Sequence, residues 1–406
     1  MLFFCIFCTG QSVKVQNSKD KRIIDLDQAK YPDTFFLDSR LYKSVKIIPL
    51  ETNESCLIGY INKVQVIDNY VLIMDASIAK SLYVFDREGR FIRKIGSVGQ
   101  GPGEYVSISD FTVDRDNKTV YIEDGRLPRI HKYDIATGKL IQTIGLERSS
   151  REGSAFINHI VHIGENLYAS AIFYNHSPNN FMLFTIDESS GKGKNNFLNV
   201  MEYNMGFSNV YGNNIPDRSF FSRENGDAIF VRPMMSHIIE ITKDGVFSLF
   251  ELKGKNMLTT EDAKKLYETY STKDIQNRDH EAFLKINKYT KMQYYIEKRE
   301  TIVMQMVFGM TIHMIVINKK TNEVCVYRGL SSMLYREIER GRSFVFGCTD
   351  SVGVYYHTSN FLSNGVPELQ KYYKAGDLSP DVIGLEKIME LKDDDNPLLL
   401  YYEFKE

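Results

Sequence analysis

The chain has 406 residues, 43% of them hydrophobic and 25% charged, and its 50 lysines and arginines against 52 aspartates and glutamates give a formal charge of −2. That is the composition of a globular protein, and it argues against a nucleic-acid binder held by phosphate neutralisation, which needs a basic excess or a dense basic stripe. No apolar run approaches the roughly 18 residues that cross a bilayer as a helix.

The chain opens on Leu2-Phe3-Phe4-Cys5-Ile6-Phe7-Cys8, an apolar stretch that stops at Thr9-Gly10-Gln11-Ser12. This fits the end of a secretory leader over residues 1–15, followed by a polar linker over 16–43. The expectation is export, to the periplasm, the outer membrane or the cell surface. Cys8 is a candidate lipid-anchor cysteine, which would bring the protein to the outer membrane. The bulky Phe7 before it departs from the small residue such a site prefers, so anchored and soluble forms both stay open. Cys56, Cys325 and Cys348 remain in the folded body. An odd set without CxxC spacing reads as small buried hydrophobes, not as a disulfide framework or a zinc site.

Further along, a strand-turn-strand phrase recurs. Leu82-Tyr83-Val84-Phe85-Asp86 with Gly89-Arg90-Phe91-Ile92 returns as Ile130-His131-Lys132-Tyr133-Asp134 with Gly138-Lys139-Leu140-Ile141. Weaker copies lie at Leu183 to Lys192, Ile238 to Phe247 and Met314 to Val324. Each is an apolar β-rich run, an Asp/Asn/Gly turn and a second run, which is hairpin chemistry. Asp86, Asp134 and Asp187 stand about 50 residues apart, close to the roughly 40–50 residues of a four-stranded propeller blade. Two strands precede each phrase, for example Ile61 to Val66 and Tyr70 to Asp75, giving six units of antiparallel strands. The sixth runs out of chain after Pro397 to Phe404, one strand short. Val45-Lys46-Ile47-Ile48-Pro49-Leu50 precedes the first unit and has the character of an outer strand, so it is expected to complete the sixth blade and close the ring. The fold class is therefore all-β, a six-bladed β-propeller over residues 44–406.

Two stretches break the strand rhythm. Over 259–290, Ala263, Leu266, Tyr267 and Tyr270 share a helical face behind Thr259-Thr260 and the acidic turn Glu261-Asp262. Over 379–392, Ser379-Pro380-Asp381 opens an expected helix with Ile383, Leu385, Ile388, Met389 and Leu391 turned inward.

With these residues in view, the chain resembles the six-bladed β-propeller proteins of Bacteroidetes envelopes, which are similar to NHL-repeat propellers. The resemblance covers about residues 44–406. It is carried by Ile48-Pro49-Leu50-Glu51, Val84-Phe85-Asp86, Ile95-Gly96, Gly99-Gln100-Gly101-Pro102-Gly103-Glu104-Tyr105 and Asp395-Asn396-Pro397. It implies a secreted or lipid-anchored envelope protein, and brings no catalytic residues with it.

The candidate sites follow from the residues themselves. Gly99, Gly101, Pro102 and Gly103 match neither a dinucleotide fingerprint nor a P-loop, and read as a structural crossover loop with Glu104 and Tyr105 bonded or packed beneath it. His159 and His162 fall on opposite faces of a strand and cannot chelate one ion. There is no GxSxG, so no nucleophilic triad is assigned. The starts of the innermost strands bring Lys63, Asp110, His159, Ser219 and Gln293 toward the central channel, and the second-strand exits add Asp75, Asp124, Arg126, Tyr174, His176, Arg232 and His357. This mixed rim suits a polar ligand. The leading expectation is a non-catalytic envelope protein that binds a glycan, a peptide or an envelope protein, with no cofactor, no metal and no nucleic acid. The alternative is a hydrolase or lyase holding calcium or zinc on the axis, against which stands a single lysine near the expected acids.

Overall fold

The recurring acid of the repeat is a turn cap. Asp86 Oδ1 accepts the backbone N–H groups of Glu88 and Arg90, each at 2.9 Å. Asp134 Oδ1 accepts from Thr137 at 2.7 Å, Asp187 Oδ1 from Ser190 at 2.8 Å, and Asn318 Oδ1 from Lys320 and Thr321 at 2.9 and 3.0 Å. A short side-chain acceptor at the end of a strand satisfies the N–H groups that the reversal leaves unpaired. That requirement fixes the residue type while the flanks vary. The hydroxyls of Ser189 and Ser190, with the Ser190 N–H, bring the Asp187 carboxyl down to about 2.

The computed structural model describes residues 10–34, 36–37, 40, 42–147, 155–173, 180–200, 202–203, 219–223, 225–269, 281, 285, 288–298, 300–308, 311–331, 344–349, 352–355, 366–376 and 381–405. The fold is a six-bladed β-propeller, with six four-stranded antiparallel blades around an axis. The chain forms two compact units.

One unit comprises Phe35–Gly125, His131–Gln142 and Leu330–Glu406. Its first blade runs Lys63–Ile67, Tyr70–Asp75, Ser81–Asp86 and Phe91–Ile95. The second blade begins with Ile108–Asp114 and Thr119–Asp124. Leu72, Leu82 and Val84 pack against Phe111, Val120 and Ile122, all with no exposed surface. Second strands buried on both faces explain why Val71-Leu72-Ile73-Met74 and Val120-Tyr121-Ile122 read as continuous apolar runs rather than alternating ones. The sixth blade is Phe344–Thr349, Val352–Tyr355, Leu398–Phe404 and Tyr42–Pro49. Antiparallel pairing of Ile48 with Leu399 and Ile47 with Leu400 shows that the early strand does complete the last blade. The Asp395-Asn396-Pro397 motif secures this closure: buried Asn396 donates to the carbonyls of Glu51 and Cys56 at 2.7 and 2.8 Å and accepts from the Ile58 N–H at 2.9 Å.

The other unit comprises Met1–Thr34, Arg126–Ile130 and Thr143–Gly329. It holds the third blade (Ala155–Ile163, Asn166–Phe173, Phe181–Ile186, Gly193–Asn199), the fourth (Phe220–Ser222, Ala228–Phe230, His237–Thr242, Gly245–Lys253) and the fifth (Lys291–Glu297, Thr301–Phe308, Thr311–Asn318, Val324–Tyr327). An ion-pair network joins the fourth and fifth blades. Arg223 reaches both Glu240 and Glu297, and Lys319 donates to Glu297 at 2.7 Å. Burial pushes the Glu297 carboxyl up, but Lys319 and Arg223 outweigh it and hold the group below the usual carboxylate range.

The segment expected as a polar linker is structured instead. Gln16–Asp25 is a strand added in parallel to the outer edge of the fourth blade, with Gln16 opposite Phe247 and Ile24 opposite Leu252. Gln11 and Ser12, within the expected leader, add to the edge of the third blade, and Lys30 bridges Cys325 on the fifth. The N-terminal segment is thus a strap along three blade edges, which would otherwise present unpaired N–H and C=O groups. Over 379–392 the structure also departs from a single helix. Asp381–Ile383 is a short strand parallel to Ser44–Lys46, and a left-handed turn at Gly384 separates it from a 3₁₀ segment, Leu385–Glu390. The α-helix lies upstream at Val366–Ala375, while Thr260–Thr269 is helical as expected.

Candidate functional site

The expected rim residues divide into those that face the channel side of the blades and those that turn back into the fold. Asp75 and Asp124 end the second strands of the first two blades and are fully buried or nearly so. Asp75 Oδ2 accepts the N–H groups of Gly59 and Tyr60 at 2.7 and 2.9 Å, and its Oδ1 those of Ser77 and Ile78 at 3.2 and 2.8 Å. Asp124 accepts from Val106 and Ser107 in the same manner, at 3.0 and 3.4 Å. Both carboxylates tie the loop entering a blade to the turn leaving its second strand. Asp75→Ala strands four backbone donors and is expected to lower the unfolding free energy by about 2–3 kcal/mol. Urea titration checks this, and a loss below about 0.5 kcal/mol would show that the loop holds itself.

The Gly-rich phrase is a loop folded around its own carboxylate. Glu104 Oε2 accepts the Gly101 N–H at 2.8 Å, and a Cβ on Gly99 would clash with that oxygen. Gly103 has φ +74°, and its carbonyl accepts the Tyr133 hydroxyl at 2.9 Å. Pro102 is exposed. Tyr105 is buried beneath, donates to the Ile95 carbonyl at 3.4 Å, and has its phenol pushed up to about 12 by burial. An internal acid sits at the backbone donor that a phosphate would use.

In the unit that holds the first blade and the inner strands of the second, the innermost strands do bring Lys63 and Asp110 together. Lys63 Nζ donates to Asp110 Oδ1 at 2.7 Å and to the Phe111 carbonyl at 2.6 Å, and lies 5.2 Å from the Phe111 ring centroid. Asp110 is buried and Lys63 is partly exposed. Next to them, exposed Ser109 donates its hydroxyl to Glu123 on the neighbouring strand. Burial, then the charges of Asp110 and Asp124, raise the Glu123 carboxyl to about 8 against the opposing Ser109 bond. That shift favours the protonated form of Glu123 near neutral pH.

The unit with the third and fourth blades builds a second polar group. His159 Nδ1 lies 3.1 Å from Ser219 Oγ and 2.7 Å from Asn158 Nδ2. Arg232 Nη1 donates to Ser219 Oγ at 3.0 Å, and the His159 N–H donates to Ser170 Oγ at 3.1 Å. Arg232 occupies one lone pair of Ser219, and the Ser219 hydroxyl and the Asn158 amide both face His159 Nδ1. Ser219 has no exposed surface, so this pair orients an imidazole and presents no accessible nucleophile.

Arg126 is exposed after the second strand of the second blade. Gln293 lies in Lys291–Glu297, but its side chain falls outside the described residues, as do Tyr174, His176, His357 and Cys8. Ser109, Asn158 and Glu123 escape the sequence reading. The only signal for Glu123 was an acid placed directly after the apolar Val120-Tyr121-Ile122.

Comparison with known proteins bears on the fold. A protein from Bacteroides fragilis NCTC 9343, described as a "Putative exported protein", superposes with a TM-score of 0.66 at 18% identity, covering 95% of this chain and 100% of its own. A member of the DUF4221 family from Bacteroides vulgatus gives a TM-score of 0.47 at 10% identity, covering 90% and 98%. No curated protein matches the chain. A family model described as "Domain of unknown function (DUF4934)" matches residues 21–403.

Proposed function

Because the chain belongs to the DUF4934 family, whose description names no activity, we propose from the geometry that it is a non-catalytic binding protein of the cell envelope. It takes a glycan, peptide or protein partner at the face where the innermost strands begin. One observation carries this reading. The partly or fully exposed groups at the innermost-strand starts of the first two blades, Lys63 and Ser109, are hydrogen-bonding ones, while Asp75 and Asp124 are turned onto backbone N–H groups. Such a surface recognises hydroxyls, amides and carbonyls. A calcium or zinc centre on the same acids would have to displace the N–H donors that hold the entry loops. Export is supported by the description of the Bacteroides fragilis neighbour and by the apolar opening of the chain, and either a soluble or a Cys8-anchored form is compatible with it.

Calorimetry against arrays of envelope glycans and peptides tests this. A saturable ligand should lose about tenfold in affinity with Lys63→Ala, the loss of roughly one good polar contact, while the melting temperature stays indifferent to chelator. Turnover of an ester, lactone or glycoside that chelation abolishes would overturn the reading in favour of a metal-dependent hydrolase or lyase.

A further inference from the structure

We propose a second ligand site, independent of the channel-side face: the groove between the N-terminal strap and the third and fourth blades binds an acidic saccharide through its carboxylate. The groove has a volume of about 400 Å³, inside the roughly 300–1,000 Å³ of small-molecule sites. Parallel pairing of Gln11 and Ser12 with Asn195 and Asn196 builds one wall. The turn after His237–Thr242 and the start of Asn166–Phe173 build the others.

Its chemistry is specific. Lys14 comes from the strap and Lys243 from the turn, both exposed, and among the described residues neither ammonium enters an ion pair or hydrogen bond. With Asp244 beside them the lining carries one net positive charge. Lys243 shares its charge with Asp227 only at a distance, so the two ammonium groups keep donors that a ligand carboxylate can take. The remaining polar lining is amide and hydroxyl: Gln11 donates to Asn195 at 3.2 Å, and Asn166, Thr185 and Tyr168 also line the groove. Amides offer both donors and acceptors, which suits vicinal hydroxyls better than a bare phosphate. A half-buried aromatic ring, Phe247, completes the wall, and Gly245 lies against it: a Cβ there would come within 3.7 Å of the ring. Cations, amides and an aromatic plate in one small groove are the components of a site for a sugar ring that bears a carboxylate.

The test titrates the whole protein with digalacturonic acid, neutral galactobiose and inorganic phosphate, by calorimetry and by amide chemical shifts. The expected result is saturable binding of digalacturonic acid, at least about tenfold tighter than galactobiose or phosphate, weakened by about tenfold or more in Lys14→Glu/Lys243→Glu and several-fold in Asn166→Ala. Because both lysines are exposed, the double variant should melt with the wild-type protein. Binding should persist in Lys63→Ala, so failure here and failure of the channel-side site are separate results. Equal affinity for galactobiose, equal affinity for phosphate, no saturation, or indifference to the double variant would each overturn the proposal.

Discussion

Ile47→Asp is expected to leave the chain unable to fold stably. Ile47 has no exposed surface and stands opposite Leu400 in the sheet that joins the beginning and end of the chain. A carboxylate placed there either stays charged in an apolar sheet or folds only as the neutral acid. The cost is about 4 kcal/mol or more, a large part of the roughly 5–15 kcal/mol that stabilises a typical domain. The adjacent Lys46 is exposed on the same strand, so Lys46→Asp should change stability by no more than about 0.5 kcal/mol. Urea unfolding followed by circular dichroism separates the two. Matching midpoints for Ile47→Asp and wild type would mean that the early strand does not close the sixth blade.

The second large effect depends on pH. The Glu123 carboxyl is raised to about 8 in the fold, burial being the main cause, whereas in an unfolded chain it titrates near its ordinary value of 4.5. Between these values the native state holds a proton that the unfolded state has lost, so the native state loses stability as pH rises from about 4.5 to about 8. Glu123→Gln removes the titration while keeping an acceptor for Ser109. The variant should match wild type near pH 4, gain steadily through neutrality, and level off above pH 8 with an advantage on the order of 3–5 kcal/mol. Melting temperatures across that range decide it. A constant difference between the two proteins at every pH would show that Glu123 is not held neutral.

Much of the architecture was legible because its signals are local. An Asx cap needs a short acceptor at one position, so Asp86, Asp134, Asp187 and Asn318 mark the blades even where the flanking strands diverge. The early strand was legible for a similar reason: Val45, Ile47 and Ile48 are buried and therefore apolar. The strap was not. Gln16–Asp25 is attached along the blade edge and most of its side chains are exposed or half-buried, so nothing in its composition separates it from a linker. At the candidate site, strand alignment found Lys63 with Asp110 and His159 with Ser219, since equivalent positions in neighbouring innermost strands come together. It misjudged the acids at the second-strand exits. Spacing places Asp75 and Asp124, but whether each carboxylate faces outward or toward a loop N–H depends on χ angles that no pattern records.

Pairing the earliest strands with late ones also sets a schedule for biogenesis. Ile47 leaves the ribosome some 350 residues before Leu400, its partner, a delay of roughly 20–70 s at ordinary rates of translation. Until then the nascent molecule carries an apolar ribbon, Tyr42–Pro49, whose hydrogen-bonding edge is available to any other incomplete copy nearby. Intermolecular exchange of that ribbon is the characteristic hazard of such a design, and the lysines at positions 43 and 46, both solvent-facing, are placed where like charge would hold two waiting copies apart.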